Sequence, residues 1–222
     1  MTNLFSIFDP STPNFLSSNW LALFLFSLLT PVAIWASPGR PNQLFYAATK
    51  YIFTEFKPLI KKSTFSLLLP TSLFMFIVYN NLMGLAPYLF TSSSQLVFTV
   101  SLALPVWLSL MIYGWLNNTS SLLAHLIPQN TPTLLMPFMV LIETVSNLIR
   151  PLTLSVRLTA NMVAGHLLIV LLNSADPMAP LALTPLLLIA KQALLALELA
   201  VAFIQAYVFS ILVTLYSAEF TA

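Results

Sequence analysis

Two apolar segments in this sequence are each about twice as long as a membrane is thick. Leu134–Leu172 and Leu181–Phe220 each run for about 39–40 residues. As helices they would be about 60 Å long, against roughly 30 Å of bilayer hydrocarbon. From Leu186 to the C-terminus there is neither Gly nor Pro, so nothing there turns the chain. Apolar residues continue almost to the last position, which argues against an overhang into water. A single helix over this stretch must therefore lie far from the membrane normal. "NSADPMAP" separates the two segments and reads as a turn. Residues 134–220 are thus expected to form a hairpin of two long, steeply tilted helices.

The rest of the chain fits an all-α integral membrane protein folded as a single membrane domain over residues 1–222. Only 6% of residues are charged and 59% are hydrophobic, where a soluble domain carries roughly 25% charged residues. Trp20–Trp35 predicts an N-terminal transmembrane helix over 20–36, ended by "SPGRP". "NQLFYAATKYIFTEFKPLIKK" mixes apolar and polar residues at helical spacing, which predicts an amphipathic surface helix over 42–62. Phe65–Phe90 and Leu96–Leu116 predict a two-helix transmembrane hairpin over 65–116. Five of the eight Lys and Arg residues lie between Arg40 and Lys62. That loop is expected on the inner side. Parity then puts the uncharged "TSSSQ" link and the N-terminus outside, and the C-terminus inside. "MTNLFSIFDPSTPNF" carries no positive charge, so no cleaved targeting segment is expected.

Several chemistries are excluded. There is no Cys, hence no thiolate metal site, iron–sulfur cluster or disulfide. The two histidines, His125 and His166, are too far apart for a local metal motif. No Gly-rich phosphate loop and no nucleophile elbow occurs. The net charge of +2 is spread too thinly for nucleic acid. No cofactor and no metal is expected.

What remains is a polar stripe on each long helix. Residues seven apart share a helix face. Glu143, Arg150 and Arg157 have that spacing on the first helix, and Asn161 lies four beyond Arg157. Lys191, Glu198 and Gln205 have it on the second, with Glu219 fourteen beyond Gln205. In an antiparallel hairpin turning near residue 181, Glu143 falls opposite Glu219, Arg157 opposite Gln205, and His166 opposite Glu198. Ionisable groups inside a membrane are functional candidates by default. Three levels at different depths describe two half-channels separated by a fixed positive charge. His166 is the exception to the pattern. Nine residues from Arg157, it stands about half a turn from that face, and its orientation stays open, as do the roles of Arg150 and Lys191.

The stretches "NNLMGLAPY", "LIETVSNLIRP", "SVRLTANMVAGH" and "LELAVAFIQAYVFSILVTLY" resemble, in order and over most of residues 74–222, the subunit a family of F-type ATP synthases in its mitochondrial form. The resemblance implies that Arg157 is the essential arginine beside the rotating c-ring. It implies an outer half-channel through His166, Glu198, Asn161 and Gln205, and an inner one through Glu143 and Glu219. It also implies a non-catalytic, proton-translocating subunit partnered by the c-ring, the peripheral stalk and other small membrane subunits. The expected location is the mitochondrial inner membrane, with the N-terminus in the intermembrane space and the C-terminus on the matrix side. Two other classes compete. A secondary transporter would show internal repeats and Gly-rich broken helices, but there is no repeat and only four glycines. A passive structural subunit would use its charges only to hold helices together.

Overall fold

The computed structural model describes residues 4–12, 18–25, 39–59, 67–117, 119–127, 135–175 and 184–221, with positions 27, 30, 31, 37, 132 and 180. Every regular element among them is helical. The α-helices are α1 (Arg40–Phe56), α2 (Leu68–Gly84), α3 (Leu96–Asn117), α4 (Thr119–His125), α5 (Met136–Ala175) and α6 (Thr184–Thr221). Short 3-10 turns occupy Leu4–Phe8, Asn19–Phe24, Lys57–Leu59 and Ser92–Ser94. Of the expected first span, the described part opens with the Asn19–Phe24 turn; positions 26, 28, 29 and 32–36 lie outside the described residues.

Helix α1 starts after Gly39, with Pro41 in its first turn, where a missing N–H costs nothing. It ends at Phe56; Lys57 keeps helical dihedrals, and the chain runs on into the Lys57–Leu59 turn, where Pro58 has no N–H to continue the ladder. Leu44, Tyr46 and Tyr51 are exposed, and Phe56 is the buried residue of this helix. The Phe56 ring stacks on Tyr207 of α6, with centroids 6.2 Å apart and an interplanar angle of 29°. Near its start the Phe45 ring stacks on Tyr79 of α2, with centroids 6.4 Å apart and an interplanar angle of 25°, so α1 is held against the bundle at both ends.

The "NNLMGLAPY" stretch acquires a structural reason. Helix α2 stops at Gly84, short of the Phe90 that hydropathy suggests. A Cβ at Gly84 would sit 3.3 Å from Thr91 Cγ2, so glycine lets the returning chain pass close to the helix. Pro87 bars helical continuation, and Tyr88 turns the chain at φ 67°. The uncharged link that follows is buried, from Thr91 to Ser94, and packs on α2, α3 and α5. Two of its hydroxyls serve each other: Thr91 Oγ1 donates to Ser94 Oγ at 2.9 Å, and Ser94 Oγ donates to the Thr91 carbonyl at 2.7 Å. Such local bonds make burial of a polar loop more tolerable, although Ser93 Oγ has no partner among the described residues.

Helices α2, α3, α5 and α6 share one core of Ile77, Val78, Ala103, Leu154, Leu158, Ala206, Phe209 and Val213. Between them lie buried small hydroxyls at Ser155, Thr159, Ser210, Thr214 and Ser217. Their hydrogen bonds stay on their own helices, as from Ser155 Oγ to the Leu152 carbonyl at 2.8 Å and from Thr214 Oγ1 to the Ile211 carbonyl at 2.7 Å. In lipid, helices associate by close packing rather than by hydrophobic burial, and small residues at the seam permit that approach. The outward faces remain apolar, with Leu141, Leu148, Leu152, Leu188 and Leu197 well exposed. Among the described residues, three helices are long and apolar enough to cross a membrane: Leu96–Asn117, Met136–Ser174 and Thr184–Ala218. The 40-residue α5 and 38-residue α6 are unbroken, although Pro151 removes one rung of hydrogen bonding within α5. The chain is an all-helical, multi-pass membrane protein.

Candidate functional site

A cavity of about 250 Å³ lies between α5 and α6 and is lined by four of the polar residues singled out above. Asn161 and His166 come from α5, and Glu198 and Gln205 from α6. Leu85, Val201 and Leu168 complete part of its apolar wall. Glu198 is 7% exposed. Neither of its carboxylate oxygens, nor Nε2 of His166, has a hydrogen-bond partner among the described residues. These are groups able to take up and release a proton, held where unsatisfied polarity is costly.

Gly165 explains how His166 joins a wall from which the helical wheel seemed to exclude it. At about 100° per residue, Asn161 and His166 point about 140° apart on α5, with Gly165 between them. Because Gly165 has no side chain, Glu198 enters that sector from α6. A Cβ at Gly165 would fall on the Glu198 carboxylate, 2.9 Å from its Cγ and Cδ. The carboxylate therefore occupies the centre of a wide sector, flanked by the amide on one side and the imidazole on the other.

Arg157 stands one helical turn from Asn161, outside this cavity wall. It is exposed near the middle of α5, and among the described residues it has no ion-pair or hydrogen-bond partner. Gln205 lines the cavity, so the level shared by Arg157 and Gln205 has one member inside and one on the outer surface. Glu143 has a different partner: Arg150 Nη2 lies 3.3 Å from its Oε1, and the Arg150 guanidinium sits 5.2 Å from the centroid of the Tyr216 ring. Arg150 thus ties α5 to α6 through a cation–π contact while holding Glu143 along its own helix. Glu219 lies in the last turn of α6, and its side chain falls outside the described residues.

One buried polar residue escaped the stripe argument because it belongs to another helix. Asn81 of α2 is fully buried and donates through Nδ2 to the Ala202 carbonyl at 3.3 Å, one turn from Glu198. A search for polar residues inside apolar spans would have found it. No cluster of three or more metal-ligating side chains occurs among the described residues.

Fold and site together define a multi-pass helical membrane protein with protonatable groups buried between its two longest helices. Comparison with known proteins gives the family. The ATP synthase A chain family profile matches residues 15–218. The chain is 54% identical to ATP synthase subunit a of Drosophila melanogaster over 221 residues, covering 99% of both chains. It is likewise 54% identical to ATP synthase subunit a of Locusta migratoria over 222 residues, again covering 99% of both. With Anopheles gambiae the figure is 54% over 223 residues, at the same coverage. This chain belongs to the ATP synthase A chain family.

Proposed function

We propose that the chain is the stator subunit of the ATP synthase membrane sector. It offers protons two offset half-channels that meet a rotating ring of c subunits. It carries no catalytic site; ATP chemistry belongs to other subunits of the complex. The outer half-channel runs through His166, Glu198, Asn161 and Gln205. The inner one runs past Glu143 and Glu219. The site of action is the mitochondrial inner membrane, with the N-terminus in the intermembrane space, the C-terminus in the matrix, and the long helices steeply tilted. The ring, the peripheral stalk and small membrane subunits are its partners.

The observation that carries this reading is Arg157, exposed at mid-helix without a partner among the described residues beside a cavity of protonatable groups. A ring carboxylate crosses lipid readily only when neutral, because a bare charge there is expensive. It releases its proton into one half-channel and is reloaded from the other. Between the two steps it is ionised, and Arg157, which cannot shed its own proton, stabilises it. The same fixed charge repels protons and closes the direct route between the half-channels. Each proton crossing yields about 2.3 kcal/mol per 100 mV, and offset half-channels direct that energy into rotation.

The test is proton flux through the reconstituted membrane sector, catalytic head removed, with and without Arg157→Ala, beside ATP synthesis by the whole complex. Synthesis should vanish while passive leak persists or rises. Coupled flux that survives unchanged would reduce Arg157 to a packing charge and end this reading.

A further inference from the structure

A contact far from the two long helices in sequence touches the cavity. Within the Leu4–Phe8 turn, Phe5, Ser6 and Ile7 are exposed while Phe8 is half-buried. The Phe8 ring meets the His166 imidazole edge-on, with centroids 6.5 Å apart and planes at 77°. The main chain around it is pinned. Gln95 Nε2 donates to the Phe8 carbonyl at 2.6 Å. Asn19 Nδ2 donates to the Asp9 carbonyl at 3.2 Å, and the Ser11 N–H donates to Asp9 Oδ1 at 3.0 Å. Gln95 itself follows directly on the buried Thr91–Ser94 turn packed against α5.

We infer that the N-terminal segment is a gate on the outer half-channel, with Phe8 as the ring that closes over His166. The inference rests on the half-channel reading given above. Phe8 does not line the cavity; it reaches the imidazole from the side of the N-terminal segment. Phe8 seats on a half-buried protonatable ring whose Nε2 has no protein partner among the described residues. The tethers from Gln95 and Asn19 hold the Phe8 and Asp9 carbonyls, and none of the three hydrogen bonds touches the Phe8 side chain. The ring can therefore swing off His166 by rotamer change on a fast timescale, with no movement of the main chain. Water and protons then reach the imidazole along a path that is otherwise covered. Phe8 is a positioning residue: it acts through His166.

The chain has no Cys, so one introduced thiol reports access cleanly. In the intact ATP synthase in sealed vesicles, Met162→Cys, buried on the cavity wall, is treated with a membrane-impermeant maleimide from the intermembrane-space side. One edge-on aromatic contact corresponds to about a two- to tenfold population shift, so Phe8→Ala should speed labelling by that factor. Phe8→Tyr should restore the slow rate. Gln95→Ala, which releases the tether and leaves Phe8 in place, should move the rate the same way at unchanged complex abundance. Val201→Cys, on the opposite wall, repeats the measurement should the first thiol disturb packing. Labelling that is equally fast with and without Phe8→Ala at both positions overturns the gate and leaves the half-channel standing. Absence of labelling from that side in every background overturns the half-channel reading and the gate with it.

Discussion

At the scale of single residues, the site depends on a side chain that is missing. Gly165 leaves the sector that Glu198 fills, and the carboxylate stands closer to it than any Cβ would tolerate. Gly165→Ala should therefore displace Glu198 without disturbing the rest of α5, since alanine is the better helix former. Overpacking a filled site costs about 1–3 kcal/mol, so proton flux per assembled complex should fall by about tenfold at near-normal abundance. Shortening the acid should relieve the clash: adding Glu198→Asp to Gly165→Ala should recover part of the flux that either change alone removes. Such coupling marks two groups sharing one space. Strictly additive losses would show that Gly165 and Glu198 do not compete for that sector. Helical periodicity put Asn161 near the Arg157 face and set His166 about half a turn away. It could not show that both reach one cavity, because that depends on where α6 places Glu198.

At the scale of elements, apolar length, with missing helix breakers in the second segment, foretold two helices of membrane-crossing length, and α5 and α6 are those helices. What hydropathy could not reveal was the seam. Ser155, Thr159, Ser210 and Thr214 look like scattered polar residues in apolar runs, yet each is buried with its hydroxyl returned to its own helix. Their contribution is small size rather than hydrogen bonding between helices. Ser155→Ala should thus leave assembly and the unfolding midpoint of the solubilised complex nearly unchanged, because the Leu152 carbonyl keeps its helical partner. Ser155→Leu should cost about 1–3 kcal/mol and lower the yield of assembled complex. If the alanine variant destabilises as much as the leucine variant, the hydroxyl itself matters and the seam has been misread. The "TSSSQ" link teaches the same lesson. Its lack of charge bears on which side of the membrane it faces; what hydropathy could not reveal is that the Thr91 and Ser94 hydroxyls pair with each other inside the bundle.

At the scale of the whole molecule, the described residues enclose a polar cavity between α5 and α6 and leave Arg157 uncovered at mid-helix. The fold class was legible because composition and segment length leave a lipid-embedded helical protein little alternative. The pairing of N-terminal Phe8 with His166 was not, since nothing local in either stretch refers to the other. Arg157 lies near the middle of a helix that is apolar and long enough to span, with its side chain exposed and no partner among the described residues. An arginine at the centre of a spanning helix costs at least about 2.5–3.5 kcal/mol. On the proposed function the ring carboxylates offset that cost, so the chain is complete only against its partner. Without the c subunit, the chain should therefore be short-lived in the membrane, and Arg157→Gln should lengthen its lifetime there, because a neutral amide removes the uncompensated charge while keeping a side chain of similar length. In the presence of the ring the same substitution should abolish coupled synthesis. Pulse–chase decay of the chain, with and without the c subunit, for both sequences, separates these effects. If Arg157→Gln decays as fast as the unsubstituted chain when the ring is absent, the guanidinium already has its counter-charge within this subunit, and the ring is not what Arg157 faces.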